Sequence, residues 1–431
     1  MLTNYPDILN QLKKCVRCGQ CRSVCPVFEE IRKEQAAPRG RVFLAQMLHY
    51  GEIEPSEKVA QHLNNCLMCE SCSSDCPSGI PVHKLVALAR SYMADQGYLS
   101  TKRAIFKDWW TRPTFLKAAS TALWGYQNTG LRSLVNGLGL TNLLPGDLPK
   151  AEKIIGRVPR RSARSRLPEI SPAKGKKRYR IGYFLGCATD LFYPEMAKAT
   201  VQVLTENGCE VVIPRELRCC GMPQMANGAY ETTLDLAKAN IETYEQLGVD
   251  YIITDCGTCT ATIGSHGYAD LLNGTPLAEK AQAFAQKVVE LTTFLTTKID
   301  LLPPTYELGM KVTYHDPCHL SKALKITAQP RNLLKSLPGV QFVEMSNANS
   351  CCGGAGTFSL TNYDLSMKIL DKKMTSLKET GARVLATACP TCTMQLSHGI
   401  NCHGINCRLM HPVELLAAAY RGKSAKPGKL A

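Results

Sequence analysis

The spacing of apolar residues predicts a largely helical first part of the chain. In residues 1–100 it indicates a short helix from Tyr5 to Lys13, one after Pro38, one before Cys66 and one from about Val82 to Gln96. The helices at Tyr5 to Lys13 and before Cys66 lead directly into clusters of cysteines. We therefore expect residues 1–100 to form one helical domain built around those clusters.

Large apolar side chains at the spacing of amphipathic helices follow in residues 101–148. They are Phe106, Trp109, Trp110, Phe115, Leu116, Trp124, Leu131, Leu134, Leu138 and Leu140. Such helices could pack on the chain's own domains, dock to a partner subunit or lie on a membrane surface. Five prolines between positions 145 and 172 predict an irregular linker over residues 146–178.

From residue 179 to residue 425, short apolar strands alternate with helices, and the pattern occurs twice. The first copy has predicted strands from Tyr179, over Glu210 to Ile213 and from Tyr251, and helices over Glu195 to Glu206 and Glu231 to Gln246. The second has strands from Met310, over Gln341 to Met345 and from Arg383, and helices over Arg331 to Leu337 and Leu365 to Thr380. The alternation predicts parallel α/β sheets, Rossmann-like in wiring, in each repeat.

Length and composition place the chain among multidomain cytoplasmic proteins. Its 431 residues suffice for two or three domains, and 45% apolar with 20% charged residues is ordinary for a soluble protein. We expect no signal peptide, because Met1 to Asn10 is polar, and no run approaches the ~20 apolar residues that span a bilayer. The 21 cysteines then indicate metal binding in a reducing compartment rather than disulfides.

The net charge of +15 is concentrated in one segment. Residues 150–180 contain twelve Lys or Arg and two Glu. This run is either a solvated linker or a contact with an acidic partner or with lipid headgroups, peripherally on the inner face of the cytoplasmic membrane. No recognition motif accompanies it, so nucleic acid is not an expected partner.

Two cysteine motifs with the spacing C-x2-C-x2-C-x3-C-P lie in residues 1–100. This spacing is typical of proteins that hold two [4Fe–4S] cubanes, and the cysteine before proline serves the other motif's cluster. The predicted ligands of the first cubane are Cys15, Cys18, Cys21 and Cys76, and those of the second are Cys66, Cys69, Cys72 and Cys25. Zinc explains neither the third cysteine nor the fourth before Pro26 and Pro77.

Each repeat carries a second cysteine frame, C-x31/32-C-C-G-x35/36-C-x2-C. CCG site 1 comprises Cys187, Cys219, Cys220, Cys256 and Cys259, and CCG site 2 comprises Cys318, Cys351, Cys352, Cys389 and Cys392. Equivalent cysteines are 131 to 133 residues apart, which indicates a duplication. Since each group follows a predicted strand, the thiols should meet at the carboxyl ends of the sheets, and adjacent cysteines suit neighbouring irons of a larger cluster.

Several potential metal ligands lie outside the frames or beside them. Cys209 is predicted to be a buried strand residue, and Cys402, His403 and Cys407 have too loose a spacing to indicate more than a structural role.

Two histidines flank Cys318 in the second repeat. His315 and His319 either pack in the core, donate hydrogen bonds to sulfur or move protons.

The double frame is the signature of cysteine-rich CCG domains and resembles the cysteine-rich subunit of heterodisulfide reductase, where such frames hold non-cubane [4Fe–4S] clusters. The order of motifs along nearly the whole chain resembles the glycolate oxidase iron–sulfur subunits, related lactate dehydrogenase subunits and the iron–sulfur subunit of anaerobic glycerol-3-phosphate dehydrogenase. The resemblance implies one or two non-cubane clusters in addition to the two cubanes. Zinc in one repeat, or thiols without metal, remains an alternative. Both closing pairs, Cys256/Cys259 and Cys389/Cys392, are intact, which favours metal in both repeats.

The expected fold is a helical two-[4Fe–4S] ferredoxin-like domain followed by two Rossmann-like α/β CCG domains. Its predicted divisions are 1–100 for the cubanes, 101–178 for a helical bridge and basic linker, 179–305 for the first CCG domain and 306–425 for the second.

The expected function is electron transfer. No G-x-G-x-x-G or phosphate loop occurs, so the chain alone should not oxidise a hydroxy acid, and no catalytic residue is predicted. The resemblance implies an FAD-containing partner subunit that oxidises glycolate, D-lactate or a similar 2-hydroxy acid, and a quinone or other acceptor. Two alternatives are a heterodisulfide-reductase-like subunit that reduces a disulfide, and CCG domains that only support assembly.

Overall fold

The computed structural model describes residues 10–139, 150, 153–215 and 218–421. Its N-terminal domain is helical, with α1 Pro26–Ile31, α2 Pro38–Tyr50, α3 Glu57–Asn64, α4 Ser71–Ser74 and α5 Val82–Asp95, and 3-10 turns at Gln20–Arg22 and Glu34–Ala36. The helices predicted after Pro38, before Cys66 and over Val82 to Gln96 are confirmed. The helix predicted from Tyr5 to Lys13 lies mostly outside the described residues.

Local sequence sets the start of α1 beside the first cysteine motif. The sulfur of Cys25 accepts a hydrogen bond from the backbone N–H of Phe28 at 3.4 Å, so a cysteine caps the helix. Pro26 then occupies the first helical position, where its fixed φ suits the helix and its missing N–H costs nothing. The chain therefore leaves the motif as a helix immediately after its fourth cysteine.

The amphipathic helices predicted over residues 101–148 are confirmed for residues 100–137, called the bridge below, while Leu140 lies outside the described residues. The bridge consists of α6 Ser100–Ala104, a π-helical turn Ile105–Trp109, α7 Pro113–Asn128 and α8 Leu131–Gly137. Phe106 is buried and Trp110 packs on the main core, whereas α7 and α8 have no buried residue. None of the helices in the described parts of the chain combines the length and apolar character needed to cross a bilayer.

Repeat one contains a five-stranded sheet. Its strands are β1 Ile170–Ser171, β2 Tyr179–Tyr183, β3 Cys209–Val212, β4 Tyr251–Thr254 and β5 Val288–Glu290, in the order β1-β3-β2-β4-β5. Only β1 is antiparallel. The helices are α9 Cys187–Phe192, α10 Pro194–Glu206, α11 Met222–Ala226, α12 Tyr230–Glu245, α13 Gly257–Ile263, α14 Ala278–Lys287 and α15 Leu291–Thr297, with a π-helical turn Ser265–Ala269.

Repeat two contains four parallel strands in the order β7-β6-β8-β9. They are β6 Met310–Tyr314, β7 Val340–Phe342, β8 Val384–Ala386 and β9 Arg408–Met410. The helices are α16 Ala328–Lys335, α17 Phe358–Thr361, α18 Tyr363–Thr380, α19 Pro390–Cys402 and α20 Pro412–Arg421, with a π-helical turn His319–Ala323. The strand predicted over Gln341 to Met345 is shorter and begins one residue earlier, because β7 pairs with only three residues of β6.

The two repeats exchange their last helices. Helix α15, which ends repeat one, packs on α16 of repeat two, and α20, which ends repeat two, packs on α10 of repeat one. The side chain of Asn207 donates a hydrogen bond to the hydroxyl of Tyr420 at 3.1 Å across the second contact. One apolar core therefore runs through both repeats.

Candidate metal centres

Cluster site 2 is a small cavity between the two N-terminal cysteine motifs. The four cysteines that the spacing assigns to it all line this cavity: Cys66, Cys69, Cys72 and Cys25. Burial raises the pKa of the Cys25 thiol, and the charge of Arg41, which also lines the cavity, opposes that rise. The cysteine before Pro26 thus lies with the second motif rather than with its own.

Cluster site 1 lies nearer the surface. Cys18 is exposed, and Cys15 and Cys21 are half-buried. Burial raises the pKa of the Cys21 thiol, a hydrogen bond from the backbone of Arg39 opposes this, and the neighbouring Cys15 and Cys18 raise the pKa further. Three thiols of one motif therefore surround one point that solvent can reach.

The end of the second motif, at Cys76, lies beside the loop of the first motif. Cys76 and Cys15 both pack against the apolar core of the N-terminal domain, as do Cys66 and Cys72. The carbonyl of the preceding Asp75 accepts a hydrogen bond from the side chain of Gln20 at 3.2 Å. These contacts join the end of the second motif to the loop of the first.

The spread of these eight cysteines suits a multi-iron group better than a single metal ion. All eight lie in the described residues, and no three of their sulfurs approach within 4.8 Å of one another. Sulfurs around one tetrahedral zinc ion would be about 3.8 Å apart. The geometry therefore fits the iron–sulfur prediction and disfavours zinc in the N-terminal domain.

A buried arginine holds the loop that carries Cys66. Arg90 donates hydrogen bonds to the carbonyls of Leu63 at 2.9 Å and Cys66 at 2.6 Å, and to the carbonyl of Ala226 in repeat one at 2.7 Å. Burial lowers the pKa of Arg90 to about 10, so the side chain remains a cation at neutral pH. Arg90 thus ties cluster site 2 to repeat one and places a positive charge beside thiolates.

CCG site 1 forms at the carboxyl ends of three neighbouring strands. Cys187 follows β2 and opens α9, Cys219 and Cys220 follow β3, and Cys256 and Cys259 follow β4 at the start of α13. Because β3, β2 and β4 are adjacent and parallel, their carboxyl ends meet at one edge of the sheet, where such sheets bind ligands.

The thiols of CCG site 1 contact one another in a line. The sulfurs of Cys187 and Cys219 are 3.9 Å apart. Hydrogen bonds with Cys219 and Cys259 lower the pKa of the Cys220 thiol, whereas the thiols of Cys219 and Cys259 have raised pKa values. The thiolate, which is the metal-binding form, is therefore favoured at Cys220.

The glycine after each cysteine pair has a backbone that other residues rarely adopt. Gly221 has φ 97°, and a Cβ there would lie 2.7 Å from the side chain of Thr233; Gly353 has φ 82°, and a Cβ would lie 2.7 Å from the carbonyl of Ser366. Only glycine fits these positive φ angles and close contacts without strain. This explains the third letter of the CCG motif.

CCG site 2 repeats this arrangement after β6, β7 and β8. Its members are Cys318, Cys351, Cys352, Cys389 and Cys392. Hydrogen bonds with Cys351 and Cys392 lower the pKa of the Cys352 thiol, as their equivalents do in repeat one. Cys351 in turn hydrogen-bonds to Cys318.

His315 is an additional member of CCG site 2. Its ring lies within 4.8 Å of the sulfurs of Cys352 and Cys392, and the three form the one compact group of potential metal ligands in the described residues. The side chain is completely buried, neither ring nitrogen has a hydrogen-bond partner among the described residues, and burial lowers its pKa to about 3. The equivalent position in repeat one is Phe184.

The two CCG sites meet at their inner cysteines. Cys256 and Cys389 are hydrogen-bonded to each other, which raises the pKa of Cys256 and lowers that of Cys389. The hydroxyl of Thr258 lies 3.5 Å from the sulfur of Cys389, and the N–H of Gly257 donates to the carbonyl of Ala388 at 3.0 Å. The two groups of thiols are therefore in direct contact at this point.

CCG site 2 also meets cluster site 2. Cys69 and Cys351 lie in one apolar cluster, and the Cys351 thiol and burial both raise the pKa of the Cys69 thiol. Val27, Phe358 and Ile369 bury the contact in an apolar cluster. Apolar side chains therefore surround the point where these two sites meet.

His319 stands where the N-terminal domain and both repeats converge. Its ring nitrogen Nδ1 lies 3.1 Å from the hydroxyl of Thr258 in repeat one, and Nε2 lies 3.7 Å from Glu70 in the N-terminal domain. The sequence indicates neither this junction nor the role of Arg90, because both depend on contacts between distant parts of the chain. For His315, the signal in the sequence is its position beside Cys318.

The remaining cysteines fit structural roles. Cys209 opens β3 and is completely buried, as predicted, while Cys402 is exposed and Cys407 is buried. His403 pairs with Asp371 at 2.9 Å. None of these side chains belongs to a compact group of potential metal ligands in the described residues.

Three family models match the chain. The cysteine-rich (CCG) domain matches residues 181–264 and 312–397, the 4Fe–4S dicluster domain matches 11–80, and the linker region of the glycolate oxidase iron–sulfur subunit matches 100–155. The matches cover the N-terminal domain, the bridge and the core of each repeat.

Relatives extend over the same parts. A probable glycolate oxidase iron–sulfur subunit of Bacillus subtilis is 34% identical over 96% of this chain and 95% of its own length, and lactate utilization protein A of an Exiguobacterium species is 35% identical over 55% of this chain and 96% of its own length. The crystal structure of a hypothetical protein from Helicobacter pylori shares the fold with a TM-score of 0.53 at 10% identity, over 98% of this chain and 76% of that one. The chain therefore belongs to the family of glycolate oxidase iron–sulfur subunits.

Proposed function

We propose that the chain is the electron-transfer subunit of a complex that oxidises a 2-hydroxy acid such as glycolate or D-lactate. A partner flavoprotein, holding FAD, would oxidise the acid and pass electrons to this chain, which would deliver them to a quinone or another acceptor. The observation that carries the proposal is that the cysteine groups adjoin one another. Cys69 of cluster site 2 shares an apolar cluster with Cys351 of CCG site 2, and the residues beside Cys389 and Cys256 join CCG site 2 to CCG site 1 through the 3.0 Å hydrogen bond from Gly257 to Ala388.

The proposed cofactors are two [4Fe–4S] cubanes at cluster sites 1 and 2 and one non-cubane [4Fe–4S] cluster in each CCG site. When bound, such clusters accept and release electrons one at a time. The proposed ligands are the eighteen cysteines of the four motifs, and the proposal is supported by the cavity that Cys25 shares with the second motif.

The protein's own contribution is position and shielding. Cys69 and Cys351 hold cluster site 2 next to CCG site 2 inside an apolar cluster. Cys256 and Cys389 hold CCG site 1 next to CCG site 2. Exclusion of water at these contacts protects reduced sites from side reactions. The sites follow one another as cluster site 1, cluster site 2, CCG site 2 and CCG site 1.

The proposed domain divisions remain 1–100, 101–178, 179–305 and 306–425. Each repeat is proposed to be Rossmann-like in the broad sense of a doubly wound sheet. Support comes from the order of the parallel strands. When β1 is left out and the strands of each sheet are numbered from one in chain order, both sheets have the order 2-1-3-4.

Replacement of Cys69 by serine tests this function. We expect loss of the cluster site 2 signal in electron paramagnetic resonance and loss of acceptor reduction, while the partner's flavin is still reduced by the hydroxy acid. Acceptor reduction at the wild-type rate would refute the relay. Cys209→Ser, a buried cysteine outside every frame, is the matched control and should retain both signal and activity.

A further inference from the structure

A cleft opens directly onto the first two sulfurs of CCG site 1. It has a volume of about 410 Å³, within the range of small-molecule sites. Cys187 and Cys219 lie at its floor, the bridge forms one wall, and residues 160–165 of the basic linker form the other. Cys187 is only half-buried, whereas Cys219 and the other three thiols of the site are buried.

The cleft is strongly basic. Six cationic residues line it, against one acid, Asp190. Arg164 pairs with Asp190 at 3.4 Å and Arg215 pairs with Glu169 at 3.0 Å. The other four cations have no carboxylate partner among the described residues: Lys117, Arg160, Arg161 and Arg218.

The wall of the cleft that the bridge forms is largely apolar. Trp110, Pro113 and Leu116 form this wall, beside Lys117. An apolar surface next to several cations suits a ligand that combines an apolar body with negative charge.

We propose that this cleft binds the electron acceptor that CCG site 1 reduces, and that the acceptor is a small anion with a flat apolar body. This inference rests on the function proposed above. The cations would bind its charged groups, the Trp110 wall would cover its apolar face, and Cys187 and Cys219 would place it beside the last metal site. A concave floor of redox sulfurs favours a small molecule over an acidic protein surface.

Electron transfer in the cleft is balanced without any bond to the protein. In each step, the cluster proposed for CCG site 1 would lose one electron and the acceptor would gain it. A quinone takes two such electrons, with two protons from water, to become a hydroquinone. The electrons come from the hydroxy acid through the partner flavoprotein.

Anthraquinone-2,6-disulfonate is a suitable probe, because it is flat, carries two negative charges and is reducible. Isothermal titration calorimetry on the air-protected, oxidised chain would measure its binding. We expect Arg161→Gln combined with Arg218→Gln to weaken binding at least about tenfold, since each guanidinium contributes a charged hydrogen bond. Arg157→Gln with Lys176→Gln removes the same charge from the same region outside the cleft and should leave the dissociation constant unchanged.

The proposal would be overturned if the two double variants bound the probe equally well, whether with the affinity of the wild type or with a lower one. Neutral duroquinone, which lacks sulfonates, should bind no more weakly to the Arg161/Arg218 variant than to the wild type.

If the Arg161/Arg218 variant instead loses only its affinity for phosphatidylglycerol vesicles, the cleft is a lipid contact and the proposal is wrong.

The experiment distinguishes failure of the proposed acceptor site from failure of the proposed electron-transfer function. Binding is measured without electron flow, so loss of affinity in the Arg161/Arg218 variant supports the site whatever the source of electrons. If the probe binds wild type but fails to reoxidise dithionite-reduced CCG site 1, the relay is refuted and with it the role of the cleft as an acceptor site.

Discussion

The two repeats contain the same cysteine frame but place it in different surroundings. The outer pair of repeat two, Cys318 and Cys351, is covered by the N-terminal domain and contacts Cys69. The outer pair of repeat one, Cys187 and Cys219, opens into the basic cleft. The duplication thus supplied two similar groups of cysteines, and the flanking parts of the chain give each group different neighbours.

The inner surroundings differ as well. Repeat two places a buried histidine, His315, beside Cys352 and Cys392, whereas repeat one has Phe184 at the same position. A ring nitrogen near sulfur can donate a hydrogen bond or bind metal, and a phenyl ring can do neither. We therefore expect the two CCG sites to differ in spectrum and reduction potential.

The largest expected effect comes from removing one cysteine of each CC pair. Cys352→Ala should remove the signal of CCG site 2 and leave CCG site 1 oxidised when the partner is reduced, because its supply of electrons is cut. Cys220→Ala should remove the signal of CCG site 1 and leave CCG site 2 reducible. Both variants should lose acceptor reduction. Electron paramagnetic resonance and iron content of the full complex would measure this, and reducible CCG site 1 in Cys352→Ala would reverse the order of sites.

A smaller effect is expected at His315. Replacement by phenylalanine, the residue of repeat one, removes a possible hydrogen bond to cluster sulfur and should lower the midpoint potential of CCG site 2 by about 60 mV, equivalent to one tenfold change in a one-electron equilibrium. His315→Gln keeps an N–H donor and should recover part of the shift.

Metal analysis of the same variants distinguishes the alternatives for His315. If His315→Phe loses zinc and keeps its iron, the group of His315, Cys352 and Cys392 is a mononuclear site, and the proposal of a non-cubane cluster in CCG site 2 is wrong. An unchanged midpoint potential together with unchanged metal content would mean that His315 only fills space.

The smallest effect on electron transfer is expected at Glu414, at the start of α20. The residue of repeat one that corresponds to Glu414 is Thr293. Burial raises the pKa of Glu414 to about 7. From about pH 4.5 to 7 the unfolded chain loses a proton that the folded chain retains, so this group lowers the free energy of unfolding by up to about 3 kcal/mol as pH rises through that window.

Glu414→Gln should remove this pH dependence while leaving cluster spectra unchanged. Urea unfolding at pH 5 and pH 8 would measure it, with Glu279→Gln, an exposed glutamate on α14, as the control that retains it. A variant that loses as much stability over this pH range as the wild type would show that Glu414 does not titrate there.

The sequence predicts most of the helices and strands that follow a regular apolar pattern, and the sites whose residues lie close together in the chain. The spacing of Cys15 to Cys25 and of Cys66 to Cys76 predicts the exchange of fourth cysteines, because the proline that follows limits where each can reach. Alternating apolar runs predict the strands that carry the CCG cysteines.

Contacts between distant segments do not follow from local spacing or from apolar patterns. The meeting of Cys69 with Cys351, the position of Arg90 and the cleft between the bridge and the linker depend on how the domains pack, which no local pattern encodes. The limits of β7 depend on how many residues of β6 are available to pair.

The exchange of α15 and α20 has a consequence for the history of the chain. In a single repeat, the face of the last helix that now packs on the other repeat would be exposed, and a second copy of the same repeat would cover it by twofold symmetry. The present arrangement is the one expected if a one-repeat chain paired with a copy of itself before the duplication. Cys256 and Cys389 would then descend from one residue near the axis of that pair.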